Sequence, residues 1–115
     1  MKKIKVKIDD KKVKFASSGS TPIRYKAQFQ RDFFKDIFEL GKLEGIEANA
    51  TMKQLQKINF DTLYNLVWVL AKNADKDIPE PEEWLLSFDE FDLFKILPQV
   101  QDLLSDSLQT TKKKK

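Results

Sequence analysis

The apolar positions of this chain recur with different periods in different stretches. In residues 1–16 they alternate. Ile4, Val6 and Ile8 stand between Lys3, Lys5 and Lys7, and Val13 and Phe15 stand beside Lys12 and Lys14. A period of two marks a half-buried strand. With Asp9-Asp10-Lys11 as the turn, the spacing predicts a short antiparallel β-hairpin with its lysines on the wet face. A lone hairpin is marginal in water, so it must lean on a helix or pair with another chain.

Beyond the Ser17–Ser20 joint the period becomes helical. Thr21 is the expected N-cap and Pro22 the first helical residue. One helix is expected to run from there through Leu40 and stop at Gly41. Phe29, Phe33, Ile37 and Leu40 follow i, i+4, i+8 and i+11; Phe34 and Phe38 widen the stripe, and Arg24, Arg31 and Lys35 lie opposite. This aromatic face is either a wall packed on the core or a groove for a partner.

Residues 42–50 read as a loop, and Thr51-Met-Lys-Gln54 has the spacing to start a short turn through Ile58. The stretch Asn59–Ala74 then changes the pattern again. From Leu63 to Ala71 it is apolar apart from Tyr64 and Asn65. A helix apolar nearly all round must be covered on several sides. It falls short of the roughly 20 apolar residues that span a bilayer. It is therefore expected to be the buried central helix of a soluble domain, capped by Asn59 or Asp61.

Ile78-Pro-Glu-Pro81 is an extended connector, because each proline pushes the residue before it out of the helical region. A short helix over 82–88 presents Trp84, Leu85 and Phe88. A second segment covers Phe91 to Leu97. Pro98 opens or kinks a last helix to about Leu108, with Val100, Leu103, Leu104 and Leu108 as its stripe. Residues 109–115 are expected to be a disordered basic tail. The fold class is thus mainly α with a short N-terminal β-hairpin: a single domain over 1–108, hairpin 1–16 and helical part 21–108.

Composition narrows the chemistry. The 115 residues contain no Cys and no His. That removes disulfides, thiolate nucleophiles, Ser-His and Cys-His triads and the commonest base near neutral pH. Met1-Lys-Lys leads into an alternating stretch rather than an apolar export signal, which points to a cytosolic protein. The chain is expected to be non-enzymatic and to need no cofactor or metal. The cluster Glu80, Glu82, Glu83, Asp89, Glu90 and Asp92 is the only candidate for carboxylate or metal chemistry. Ser87–Asp92 lacks calcium-loop spacing, and the acids are better explained as helix N-terminal charges on a solvated face.

Charge is unevenly placed. Residues 1–35 hold 11 Lys/Arg and 3 Asp/Glu, residues 36–111 hold 6 and 15, and the last four residues are all Lys. The basic front, acidic body and basic tail permit either self-association, with Lys12 and Lys14 as contact residues, or nucleic-acid binding. Solubility is the simpler reading of the hairpin lysines, since no Arg or aromatic is interleaved on their face. At the gene level, Lys112–Lys115 requires an A-rich codon run, a site for ribosomal slippage.

Three stretches carry a resemblance. Tyr25-Lys-Ala-Gln-Phe-Gln-Arg-Asp-Phe-Phe-Lys-Asp36, Leu63-Tyr-Asn-Leu-Val-Trp-Val-Leu-Ala-Lys-Asn-Ala-Asp75, and Pro81-Glu-Glu-Trp-Leu-Leu-Ser-Phe-Asp-Glu-Phe-Asp92 followed by Ile96-Leu-Pro98 resemble the tail assembly chaperones of long-tailed phages and prophages of Gram-positive bacteria. The resemblance covers roughly residues 21–104. It implies a viral, non-enzymatic protein of the host cytoplasm, absent from the mature virion. Such a protein binds the tape measure protein, keeps it soluble, and hands it to the polymerising tail tube protein. It also implies a longer form made by programmed frameshifting. Phe29, Phe33, Ile37, Leu40, Trp84 and Phe88 are then the expected partner-binding residues. Relatives often carry Gly where Gln30 stands, and a continuous helix accommodates Gln there. The alternative is a basic nucleic-acid-binding phage accessory protein using the hairpin lysines and tail. A membrane role is not expected.

Overall fold

A computed structural model describes residues 2–41 and 60–108, with the side chains of 38–41 and 108 outside the described set. The described elements are strands β1 (Lys3–Ile8) and β2 (Lys11–Ala16) and helices α1 (Thr21–Phe29), α2 (Phe33–Gly41), α3 (Phe60–Ala74), α4 (Pro81–Leu86) and α5 (Leu93–Leu108). The fold is mainly helical with an N-terminal antiparallel hairpin. The loop and short turn expected over 42–58, the Asn59 cap and the tail at 109–115 lie outside the described residues.

The hairpin forms as its alternation requires. Ile4 faces Phe15, Val6 faces Val13, and Ile8 faces Lys11. Asp9 and Asp10 alone close the turn, both with positive φ (54° and 67°). Two-residue loops of this kind match the right-handed twist of the strands. Val6, Ile8 and Phe15 are buried, while Lys3, Lys5, Lys7, Lys12 and Lys14 are exposed.

Helix α3 is the axis. Leu63, Leu66, Val67, Trp68, Val69, Leu70 and Ala71 are all essentially without solvent contact. Burying each large side chain of this kind contributes about 1.5–3 kcal/mol. α1, α2, α5 and β2 all pack on α3. The hairpin is therefore a full side of its cover: β2 lies against α3 and β1 against α5. Phe15 from β2 joins the same core as Trp68 and Val100.

The single helix expected over 22–40 is two. Gln30 takes the left-handed conformation (φ 56°, ψ 39°) and caps the C-terminus of α1, its N–H bonding to the Lys26 carbonyl. Asp32 then starts α2: its Oδ1 accepts from the N–H of Phe34 at 2.9 Å and of Lys35 at 3.4 Å. This is ordinary N-cap chemistry. A Gln in a continuous helix would be unremarkable, but at this cap it carries the steric cost that glycine lacks.

The start of α1 is also one residue earlier than expected. Ser20 is the N-cap and Thr21 is inside the helix and buried. The Thr21 hydroxyl donates to the Ser18 carbonyl at 2.7 Å and accepts from Asn73 Nδ2 at 2.9 Å and Ser107 Oγ at 3.2 Å. It ties α1 to α3 and α5.

The two segments expected over 91–97 and 98–108 are one helix, α5, with Pro98 inside. Pro98 lacks the N–H that would bond to Phe94, but its side chain is exposed and the apolar stripe runs past it. Leu93, Ile96 and Leu97 before it, and Val100, Leu103 and Leu104 after it, all enter the core. Asp92 supplies the start: its carbonyl accepts from Lys95 and Ile96, and its Oδ1 lies 3.3 Å from the Lys95 nitrogen.

Candidate functional site

The break at Gln30 decides where the aromatic residues go. It folds α2 back so that Tyr25 meets Phe33, with ring centroids 5.5 Å apart. Phe29 lies between Tyr25 (5.0 Å) and Trp68 of α3 (5.6 Å). These tilted and edge-on pairs keep the ring centroids at favourable aromatic spacing.

The expected partner-binding residues are therefore largely core. Phe33 is 1% exposed and Trp84 4% exposed. Phe29, Ile37 and Phe88 are half-buried against the core. The Leu40 side chain is outside the described set. Of the two readings of this face, the wall describes the observed packing: Phe33 and Trp84 offer no surface to a partner in this conformation. Among the described side chains of the stripe, Phe34, one residue on, is the one that stays half exposed.

A polar clasp lies under the corner. The Tyr25 hydroxyl donates to Asp36 Oδ2 at 2.6 Å. Arg31 grips the same carboxylate with Nε at 2.6 Å and Nη2 at 2.8 Å, a bidentate fork. Burial on its own would raise the Asp36 carboxyl, but the hydrogen bonds from Arg31 and Tyr25 outweigh it and hold it below its ordinary value. Burial first, and then Asp36, pushes the Tyr25 phenol well above its own. The sequence pattern sets Arg31 opposite the aromatic stripe with Arg24 and Lys35. Arg31 sits instead in the corner between α1 and α2.

Trp84 anchors the other aromatic group. Phe88 and Phe91 stand edge-on to it at 5.2 and 5.6 Å, and Phe91 also meets Tyr64 of α3 at 5.7 Å. The tip of the hairpin docks here. Lys11 Nζ donates to the Ser87 carbonyl at 3.0 Å and lies 5.1 Å from the Phe88 ring centre. The Asp89 N–H donates to Asp9 Oδ2 at 2.8 Å. Phe88 and Lys11 thus join the hairpin to the segment after α4.

Two kinds of surface remain. One is a shallow groove of about 440 Å³ where α1 crosses α3, lined by Ile23, Arg24, Ala27, Trp68 and Lys72 among others. Ile23 is 73% exposed at its edge. The Arg24 Nε is buried without a hydrogen-bond partner. Lys72 Nζ is held by the carbonyls of Lys76 and Ile78 at 2.7 and 3.2 Å, and lies over Trp68. Ile23 stands off the aromatic stripe and next to Arg24 in the sequence, and its exposure follows only from the packing of α1 on α3.

The other surface is charged. The hairpin sets Lys5 opposite Lys14 and Lys7 opposite Lys12 across the strands. From Asp75 to Asp92 the chain carries eight carboxylates and one lysine, and all eight carboxylate residues are exposed. Glu82 and Glu83 occupy the first turn of α4, and Asp92 caps α5. Among the described residues no three carboxylates converge as a metal site requires. No described helix is long and apolar enough to cross a membrane.

No protein-family model, curated protein or solved structure matches the chain.

Proposed function

We propose that the chain is a non-enzymatic tail assembly chaperone that binds the tape measure protein in the host cytoplasm. It keeps that protein soluble until tail tube protein polymerises around it, and it is left out of the mature virion. The observation that carries this reading is the conformation of Gln30. The family pattern often has Gly at this position, and here the position is a left-handed helix cap. Glycine occupies such a cap without strain. A glycine at this position in relatives fits such a cap, which lies within the first of the three patterns.

The docking surface follows from what the core leaves free. The groove beside α1 offers an exposed aliphatic edge at Ile23, with Arg24 and Lys72 along its length. An amphipathic helix laid there would place apolar residues on Ile23 and Ala27 and carboxylates against the two cations. That is the chemistry of an acidic-flanked helical segment of the tape measure protein.

Co-expression with the tape measure gene of the same phage or prophage tests the function. Co-purification and a larger soluble fraction of the tape measure protein are expected. Failure of both overturns the reading. Ile23→Asp is expected to abolish capture while leaving the fold intact, since Ile23 is nearly free of the core. Undiminished capture by that variant would move the docking surface elsewhere.

A further inference from the structure

The hairpin brings five lysines onto one exposed face. Lys3, Lys5 and Lys7 alternate along β1, and Lys12 and Lys14 along β2. Along each strand they stand about 6.7 Å apart. Across the strands Lys5 and Lys14, and Lys7 and Lys12, are direct partners. Like charges in this position destabilise a hairpin. Among the described residues, Lys7 is the one of the five with an ion pair, to Asp10 at 3.8 Å, with both side chains highly exposed. Among the described residues Lys3, Lys5, Lys12 and Lys14 form no salt bridge.

The segment from Asp75 to Asp92 is the complement. Its eight carboxylates against Lys76 leave a charge of −7, formed as 1 − 8. None of the eight forms a salt bridge with a described residue. The three described ion pairs are Lys2–Asp102, Lys7–Asp10 and Arg31–Asp36, all outside this segment. Leu86, 76% exposed, lies among these acids on α4. The two surfaces meet at the hairpin tip through Lys11–Ser87 and Asp9–Asp89. Among the described residues of one molecule, the lysines point away from the core on the strands' outer face and form no ion pair with these acids.

We propose that the lysine face of the hairpin binds the acidic segment 80–92 of a second copy of this chain. Each surface then supplies the counter-charge that the other lacks. Lysine stems also cover apolar surface with their methylenes, so Leu86 gains a cover in the same contact. The proposal is independent of the chaperone reading, because it concerns the chain alone.

Sedimentation of the purified chain at about 0.01 M and about 1 M salt tests it, since the screening length falls from about 30 to about 3 Å over that range. Association at low salt and a monomer at high salt are expected. Two triple variants sharpen the test: Lys5→Glu, Lys12→Glu, Lys14→Glu on the hairpin, and Glu82→Lys, Glu83→Lys, Glu90→Lys on the acidic segment. All six positions are exposed, and circular dichroism checks that each variant folds. Each is expected to be monomeric at low salt, and an equimolar mixture to associate again, because the swapped charges complement each other. A wild-type monomer at low salt overturns the proposal. So does a variant that associates as the wild type does, or a mixture that stays monomeric. A monomeric wild type that shifts a single-stranded oligonucleotide would assign the lysine face to phosphates instead.

Discussion

The phenol of Tyr25 lies 2.6 Å from Asp36 Oδ2 and donates its proton to it. The two residues are 11 apart in the chain. In one unbroken helix they would share a face about 16 Å apart. They touch because the chain turns at Gln30 and begins a new helix at Asp32. The contact is the reason the turn holds: Asp36 is buried, and only the folded corner gives it both a phenol and a guanidinium.

Removing the carboxylate should therefore loosen the corner. Asp36→Ala leaves the Tyr25 hydroxyl buried without an acceptor and frees Arg31; a loss of about 2–4 kcal/mol is expected in urea unfolding. Tyr25→Phe leaves Arg31 on the carboxylate and should cost about 1–2 kcal/mol. The double variant should cost less than the sum, since both changes break the same bond. Additive losses would show that the contact carries no energy of its own.

The clasp also fixes the sign of the pH dependence. Asp36 is held below its ordinary value, so its stabilisation is complete above the unfolded value near 4 and is lost as pH falls through the folded value. Tyr25 is raised above 10, so its stabilisation is complete below about 10 and falls as pH rises beyond it. Above that point each pH unit removes up to about 1.4 kcal/mol from this group. Unfolding midpoints across the pH range should fall at both ends; Tyr25→Phe should flatten the alkaline limb and, by removing one of the two donors to Asp36, make the acid limb shallower.

Two backbone positions favour glycine. Gln30→Gly relieves a left-handed side-chain clash and loses one exposed side-chain bond to the Ala27 carbonyl. Asp10→Gly does the same at the second residue of the hairpin turn, and loses the exposed Lys7 pair. Each is expected to raise stability by about 0.5–1 kcal/mol. A continuous helix through Gln30 would give the opposite sign, because glycine inside a helix costs about 1 kcal/mol.

Thr21 joins three elements through one hydroxyl. Thr21→Val keeps the shape and removes the acceptor for Asn73 Nδ2 and Ser107 Oγ. A loss of about 1–3 kcal/mol is expected, with faster amide exchange at the start of α1. Thr21→Ser, which keeps the hydroxyl, should restore most of it.

The sequence alone determined which residues need cover. The alternation of Lys with Ile, Val and Phe set the hairpin and its wet face. The apolar run at Leu63–Ala71, interrupted by Tyr64 and Asn65, marked α3 as the axis, and Pro81 with Glu82 and Glu83 marked the start of α4. These are local properties, readable from side-chain period and capping chemistry. Tertiary structure decided the rest. An i, i+4 stripe through Phe29, Phe33 and Ile37 fits one long helix as well as two short ones. The choice fell to Asp36, whose charge needs Arg31 and Tyr25 together, and to Trp68, which takes Phe29 on its ring. Those contacts offset the left-handed Gln30 and commit Phe33 to the core while Phe34 and Ile23 stay in water. Periodicity reports that a face must be buried; only the folded chain says which neighbour buries it and which side chains remain for a partner.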